Sequence, residues 1–295
     1  MFGRTLMTLG LAMLLAAPAH AGFGLVLPDS PIVDDPEKTS LNLVICAIDP
    51  ATGAGIPIER PQVFTALRYS GDNMDRSEHL SVLDEVVAYG ARAWTTNISL
   101  PHPGVYQLVM QTKAGWVPEQ DKFVQYVTKV QIPAYGSAEG WDKPANISFE
   151  ISPLSRPFGL CSGMAFSGQA LFDGTPIPGA LIGVARLDPA IKPNVAQPED
   201  PNAPPQDDKA QPKAKKQDKQ PTPQPISAFG ATQQVKADSQ GVFTFVCPLP
   251  GWWAFSTSMA GDPLQDPEGK QKPLEIKTIF WVYMNDCPKT APSKK

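Results

Sequence analysis

Between Thr39 and Asp49 apolar and polar side chains alternate closely enough to predict a β-strand. The same pattern predicts strands at Gln62–Tyr69, Ala93–Leu100, Val105–Thr112, Phe123–Ile132 and Ile147–Ser152. A second run follows at Gly159–Phe172, Ala180–Leu187, Ala231–Ala237, Val242–Val246, Trp252–Ser258 and Glu275–Met284. One segment departs: in Glu78–Tyr89 the residues Leu80, Leu83, Val86 and Val87 fall near helical spacing and predict a short helix. Between the runs, Pro153 and Pro157 bracket a polar interval, and because proline cannot donate to a central ladder, a domain boundary is placed there.

The halves share a device. Leu100-Pro101-His102-Pro103-Gly104-Val105-Tyr106 is echoed by Cys247-Pro248-Leu249-Pro250-Gly251-Trp252-Trp253, where Pro-Gly presets a turn that launches a strand carrying aromatic residues inward. The expected fold is all-β: two consecutive immunoglobulin-like or carboxypeptidase-regulatory-like β-sandwiches, residues 22–155 and 156–287, of about 120 residues each. Residues 192–225, rich in proline and in charges of both signs, cannot bury a core and read as a disordered insert. Asp262–Pro273 reads as a shorter excursion of the same kind, and 288–295 as a flexible tail. Adjacent Trp252 and Trp253 should enter opposite faces of their sheet.

At the start, Arg4 precedes the apolar stretch Thr5–Ala17, and Ala19-His20-Ala21 fits a signal-peptidase site, so residues 1–21 read as a secretory signal and the protein as periplasmic or secreted. Cleavage after Ala21 leaves Gly22 first, whereas cleavage after Ala19 leaves His20 as a free terminus, whose α-amine and imidazole together suit borderline transition metals. A net charge of −4, from 25 basic and 29 acidic residues, gives no electrostatic reason to expect nucleic acid.

Catalytic signatures are missing: there is no Gly-x-Ser-x-Gly, no phosphate-binding glycine loop and no His-Glu-x-x-His, so a non-enzymatic role is expected. His79 and His102 read as surface or turn residues. Cys46, Cys161, Cys247 and Cys287 lie far apart in sequence and read as disulfide candidates in an oxidising compartment. Three full pairings exist, with Cys287 placed to tie back to Cys161 or Cys247. Asp238-Ser239-Gln240-Gly241 reads as an Asp-capped turn, and the Asn97 and Asn146 tripeptides, matching glycosylation acceptors, are given no role and placed in strands.

Several stretches resemble the exported accessory proteins encoded with energy-coupling-factor nickel/cobalt uptake transporters. They are Val127-Thr128-Lys129-Val130, Gly140-Trp141-Asp142-Lys143-Pro144, Glu150 through Leu160, Gly163 through Gln169, Asp173 through Ala180, Asp238 through Phe243 and Pro250 through Phe255. The resemblance implies a periplasmic component, its partners the membrane subunits of an uptake transporter, that assists acquisition of Ni²⁺ or Co²⁺. The family shows a histidine near the mature terminus and a His-Pro after the first long strand; here Gly22-Phe23 and Asp49-Pro50 stand in those places unless processing leaves His20. The metal-ligand candidates are therefore His20, Asp49, His79 and His102. The rival expectation is a structural or protein-interaction sandwich module that binds no metal.

Overall fold

The computed structural model describes residues 22–50, 52–198 and 233–287. The His20 and cleavage-site expectations, most of the 192–225 insert and the 288–295 tail lie outside these residues. The strands of the first half are β1 (Phe23–Pro28), β2 (Ser40–Asp49), β3 (Ala54–Ile56), β4 (Val63–Ser70), β5 (Asn73–Glu78), β6 (Asp84–Ala88), β7 (Ala91–Ser99), β8 (Gly104–Gln111), β9 (Gly115–Val117), β10 (Lys122–Ala134) and β11 (Phe149–Pro153). There follow β12 (Leu160–Cys161), β13 (Ala165–Phe172), β14 (Thr175–Pro176), β15 (Leu181–Leu187), β16 (Gln233–Lys236), β17 (Val242–Val246), β18 (Gly251–Gln265) and β19 (Gln271–Asn285). The described residues contain no helix long and apolar enough to cross a membrane.

These strands form three sheets. One outer sheet has the order β1-β2-β7-β6 with β3 beside β2, and the other is β11-β13-β14 with β17 beside β13. Between them runs a ten-stranded sheet whose main path is β16-β15-β18-β19-β10-β8-β4-β5, with β9 and β12 pairing at its sides. The two sandwiches therefore share their middle sheet, and the seam is the parallel pairing of β10 with β19, from Phe123↔Leu274 to Val130↔Trp281.

Period-2 geometry then sends alternate side chains to two cores. Ile279 and Trp281 of β19, with Trp252 and Ala254 of β18, join Leu25, Leu43, Ile45 and Ile132 under the first outer sheet. Phe280, Val282 and Met284, with Trp253 and Phe255, join Phe166 and Phe243 under the second. Trp252 and Trp253 thus enter opposite cores, as their adjacency requires. Close approach fixes β1 on β10: a Cβ at Gly24 would stand 2.8 Å from that of Tyr126.

Three expectations are corrected. Glu78–Tyr89 is not a helix but the end of β5, a single 3₁₀ turn at Leu80–Val82 and β6, because Val86 and Ala88 alternate inward as a strand beside β7. Asp262–Pro273 is not an excursion: β18 and β19 pair up to Gln265↔Gln271 across a turn in which Asp266 Oδ1 accepts from the amides of Glu268 and Lys270. The Asp238 turn forms as read, its Oδ1 accepting from Gln240 and Val242 amides at 2.8 and 2.9 Å. Asn97 lies in β7, but Asn146 sits in a left-handed position (φ 54°) before β11 rather than in a strand.

Cys161 and Cys287 form a disulfide with Cα atoms 5.4 Å apart, tying the end of β19 to β12. Cys46 and Cys247 are buried free thiols, which burial pushes up to about 12 each, so neither is a ready thiolate.

Candidate functional site

The three described metal-ligand candidates do not share a site. Asp49 ends β2, whereas His102 lies just beyond β7, whose Ser99 pairs with Ser40 at the opposite end of β2. Ten residues of strand, about 30 Å, separate the two ends. His79 follows β5 with its amide on the Phe64 carbonyl, and Phe64 pairs with Met110 near the end of β8 remote from His102. Its imidazole contacts Ser77 Oγ at 3.0 Å, and burial lowers its pKa against the opposing charge of Glu78. His102 is exposed in its turn, its amide donating to the Tyr106 hydroxyl. Among the described residues no group of three His, Cys, Asp or Glu side chains is placed to hold a metal ion.

The described residues instead converge on a cleft of about 960 Å³. Phe23 of β1 forms one wall, the β13–β14 hairpin from Phe172 to Pro176 another, and Ser256–Met259 of β18 with Glu275 and Lys277 of β19 the floor. Leu181 and Gly183 of β15 and Gln234 of β16 complete it. Glycine at 183 keeps the floor low, since a Cβ there would come within 3.0 Å of Ser256 Oγ.

The polar chemistry of the cleft is a chain of charges. Lys122 Nζ donates to Glu275 Oε2 at 2.5 Å and Ser258 Oγ to Glu275 Oε1 at 2.6 Å. Burial opposes ionisation of Glu275, but these two hydrogen bonds and the charges of Lys277 and Lys122 outweigh it, and the carboxyl titrates below its usual range. Lys277 is less well served. Its Nζ donates to the Gly22 carbonyl at 3.2 Å, lies 5.3 Å from the Phe23 ring centroid and stands 4.0 Å from Glu275 Oε1. Its side chain is 10% exposed, and desolvation lowers its pKa against the pull of Glu275.

A carboxyl depressed in the folded state stabilises fully above its unfolded value and loses that contribution as pH falls through the folded one. Wild-type stability is therefore expected to drop as pH falls below about 4.3, and Glu275→Gln to flatten that part of the profile. Urea midpoints from pH 2 to 6 check this, and parallel profiles for the two proteins would count against it.

A second polar group lies where β10 meets the second outer sheet. Lys129 Nζ stands 3.5 Å from Glu150 Oε2 and 5.1 Å from the Phe280 ring centroid, both charged side chains being almost wholly buried. Neither Lys129 Nζ nor Glu150 Oε2 makes a hydrogen bond, and the Oε1 atoms of nearby Gln107 and Gln131 also lack partners. Glu150 borders a smaller cleft of about 380 Å³.

Sequence reading passed over Glu275, Lys277 and Phe23. The signal was present in β19: Glu275 and Lys277 alternate in phase with Ile279 and Trp281, placing two charges on a face that turns into core four residues later.

Fold and cleft together define a β-sandwich protein with a shared middle sheet, a disulfide and an open cleft. The chain belongs to the family described as a domain of unknown function, DUF4198, whose model matches residues 17–261. No curated protein matches the chain. Among solved structures it is similar to the D0-D1 domain of intimin at 8% identity and a TM-score of 0.19, over 89% of this chain and 100% of that one.

Proposed function

We propose that the protein is an extracytoplasmic accessory of a nickel or cobalt uptake system, non-catalytic, with its working end at the segment released by processing. One observation carries the reading. Gly22, which directly follows Ala19-His20-Ala21, is buried at the cleft, its carbonyl held by Lys277 and its neighbour Phe23 forming a wall. A terminus at His20 would precede Gly22 by two residues in the chain. An α-amine and imidazole there form a chelate for Ni²⁺ or Co²⁺ as cargo, which the transporter's membrane subunits would receive. The resemblance of the Lys129, Trp141, Glu150–Leu160 and Trp252 stretches to nickel/cobalt accessory proteins supports the same assignment.

The test is intact-mass determination of the exported protein followed by calorimetric titration with Ni²⁺, Co²⁺ and Zn²⁺. The expected result is a terminus at His20 and one saturable site tighter than about 100 μM, worth about −5.5 kcal/mol, which His20→Ala weakens by at least about tenfold. A terminus at Gly22 with no saturable binding overturns the metal assignment. It would favour the second reading, a protein-interaction module, which exposed Met164 and Val246 beside the disulfide-bearing segment support as an apolar contact surface.

A further inference from the structure

We propose that the cleft bounded by β1, the β13–β14 hairpin and the β18–β19 ribbon binds a small organic anion, an apolar body bearing one carboxylate, with the carboxylate meeting Lys277. The assignment uses none of the metal-ligand candidates; it shares Lys277, Gly22 and Phe23 with the nickel or cobalt reading, and the two are separated by their probes, an organic anion here and a metal ion there.

The charge count at the floor sets the sign of the ligand. Glu275 faces two ammonium groups, and it is committed to Lys122 and Ser258 through short hydrogen bonds. Lys277 keeps three N–H donors but, among the described residues, meets one hydrogen-bond acceptor, the Gly22 carbonyl; its other described neighbours are a ring face and a carboxylate oxygen 4.0 Å away. An ammonium that is nine-tenths buried gains most from a further charged acceptor at hydrogen-bond distance. A carboxylate supplies it. A cationic ligand would add a third positive charge near Glu275, and a neutral one would offer Lys277 at best an uncharged acceptor.

The walls set the body of the ligand. Phe172, Ile177, Leu181 and Met259 present apolar surface to the cleft, and Phe23, 1% exposed, backs it. Leu181 and Phe172 are among the large apolar side chains most open to solvent, at 57% and 41% exposure, and both lie on this cleft. Exposed apolar side chains gathered at the mouth of a cavity mark a ligand surface better than the same residues scattered singly. The volume of about 960 Å³ is of the size that takes a medium-length acyl chain or an aromatic acid. Asp173 on the rim disfavours a second negative charge, so the ligand is a monoanion.

Octanoate is the probe, titrated calorimetrically into the full processed protein, with octanol and octyltrimethylammonium as neutral and cationic comparators of the same chain length. The expected result is one saturable octanoate site with a dissociation constant below about 300 μM, at least about tenfold tighter than octanol, and no site for the cation. Lys277→Met should bring octanoate down to the octanol level, while Lys277→Arg should stay within about threefold of wild type. Leu181→Glu, on the exposed rim, should weaken octanoate by about tenfold or more without moving the unfolding midpoint. No saturation by about 2 mM, or equal affinities for octanoate and octanol, overturns the proposal. Unchanged octanoate affinity in Lys277→Met does so too; if that variant does not fold, unchanged affinity in Leu181→Glu decides against it. Flotation with phosphatidylglycerol vesicles in the absence of octanoate binding would assign the cleft to a lipid surface and likewise overturn it.

Discussion

Lys129→Met is expected to destabilise the protein by about 3–5 kcal/mol, whereas Lys129→Met combined with Glu150→Leu recovers most of that loss or exceeds wild type. Both charged side chains are almost wholly buried, and the Nζ–Oε2 separation of 3.5 Å leaves each terminal atom without a hydrogen bond. Attraction between them and the Phe280 ring face 5.1 Å from Nζ offset the desolvation of two ions only partly. Removing the cation alone strands the Glu150 carboxylate beneath the second outer sheet. Removing both charges substitutes apolar packing at a seam already lined by Phe280 and Ile151. Urea denaturation of the three proteins checks this. A loss below about 1 kcal/mol in the single variant, or a double variant as unstable as the single one, would show that the pair is not what fixes the energetics there. Burial lowers the Lys129 pKa against the charge of Glu150, so this lysine holds fewer protons folded than unfolded between its folded value and about 10.4, and its penalty shrinks as pH rises through that window.

The strands were legible where alternation or a sustained run of strand-forming side chains marks them. β2, β4, β7, β8, β10, β15 and β17 begin and end within two residues of the segments read from sequence, including β8 and β10, which lie in the shared middle sheet and are buried on both faces. The two Pro-Gly turns were legible for a backbone reason: Gly104 and Gly251 open β8 and β18 at φ 137° and 116°, where a side chain is strained. β1 was not, since Phe23-Gly24-Leu25-Val26-Leu27 is a short apolar run that shows no alternation. β5 failed for the opposite reason: all six residues are exposed, and only the ladder to β4 makes them a strand.

Long-range pairing leaves no local trace. The parallel seam joins residues about 150 apart in sequence, as in Phe123↔Leu274, so sharing of the middle sheet could not be read from either half. The same limit governed the site. Residue type pointed to histidines and Asp49, but ligation depends on which strand ends come together, and the described histidines lie at opposite ends of β8. What converges is Glu275, Lys277, Lys122 and Phe23, drawn from three strands whose adjacency only the topology reveals. Among the cysteines, sequence left three pairings open, and placing Cys287 against Cys161 or Cys247 was as far as order along the chain could go; β12 beside the end of β19 selects Cys161.

Trp281→Ala is expected to cost about 4–5 kcal/mol and to loosen β1 ahead of the rest of the fold. The indole is 1% exposed in the first core, its Nε1 donates to the Gly24 carbonyl at 2.8 Å, and its ring meets Phe23 edge-on at a centroid distance of 6.5 Å. Alanine would remove one of the largest buried side chains, leave a cavity between β19 and the outer sheet, and strand a buried carbonyl acceptor. The second part of the effect is directional. Among the described residues β1 hydrogen-bonds as a strand to β2 alone, so its hold on the middle sheet rests on Trp281, on Lys277 at Gly22 and on the close approach of Gly24 to Tyr126. Trp281→Phe keeps most of the volume and loses the hydrogen bond, and should cost roughly 1–2 kcal/mol with a smaller shift of the same residues. Chemical denaturation gives the magnitudes, and amide exchange at Leu25 and Val26 measured against Ile45 and Leu43 gives the location. Selective acceleration at β1 in Trp281→Ala, with octanoate binding weakened as the Phe23 wall loosens, is the expected pattern. A loss below about 2 kcal/mol, or exchange rising equally in β1 and β2, would mean that the first outer sheet moves as one body and that Trp281 does not pin its edge.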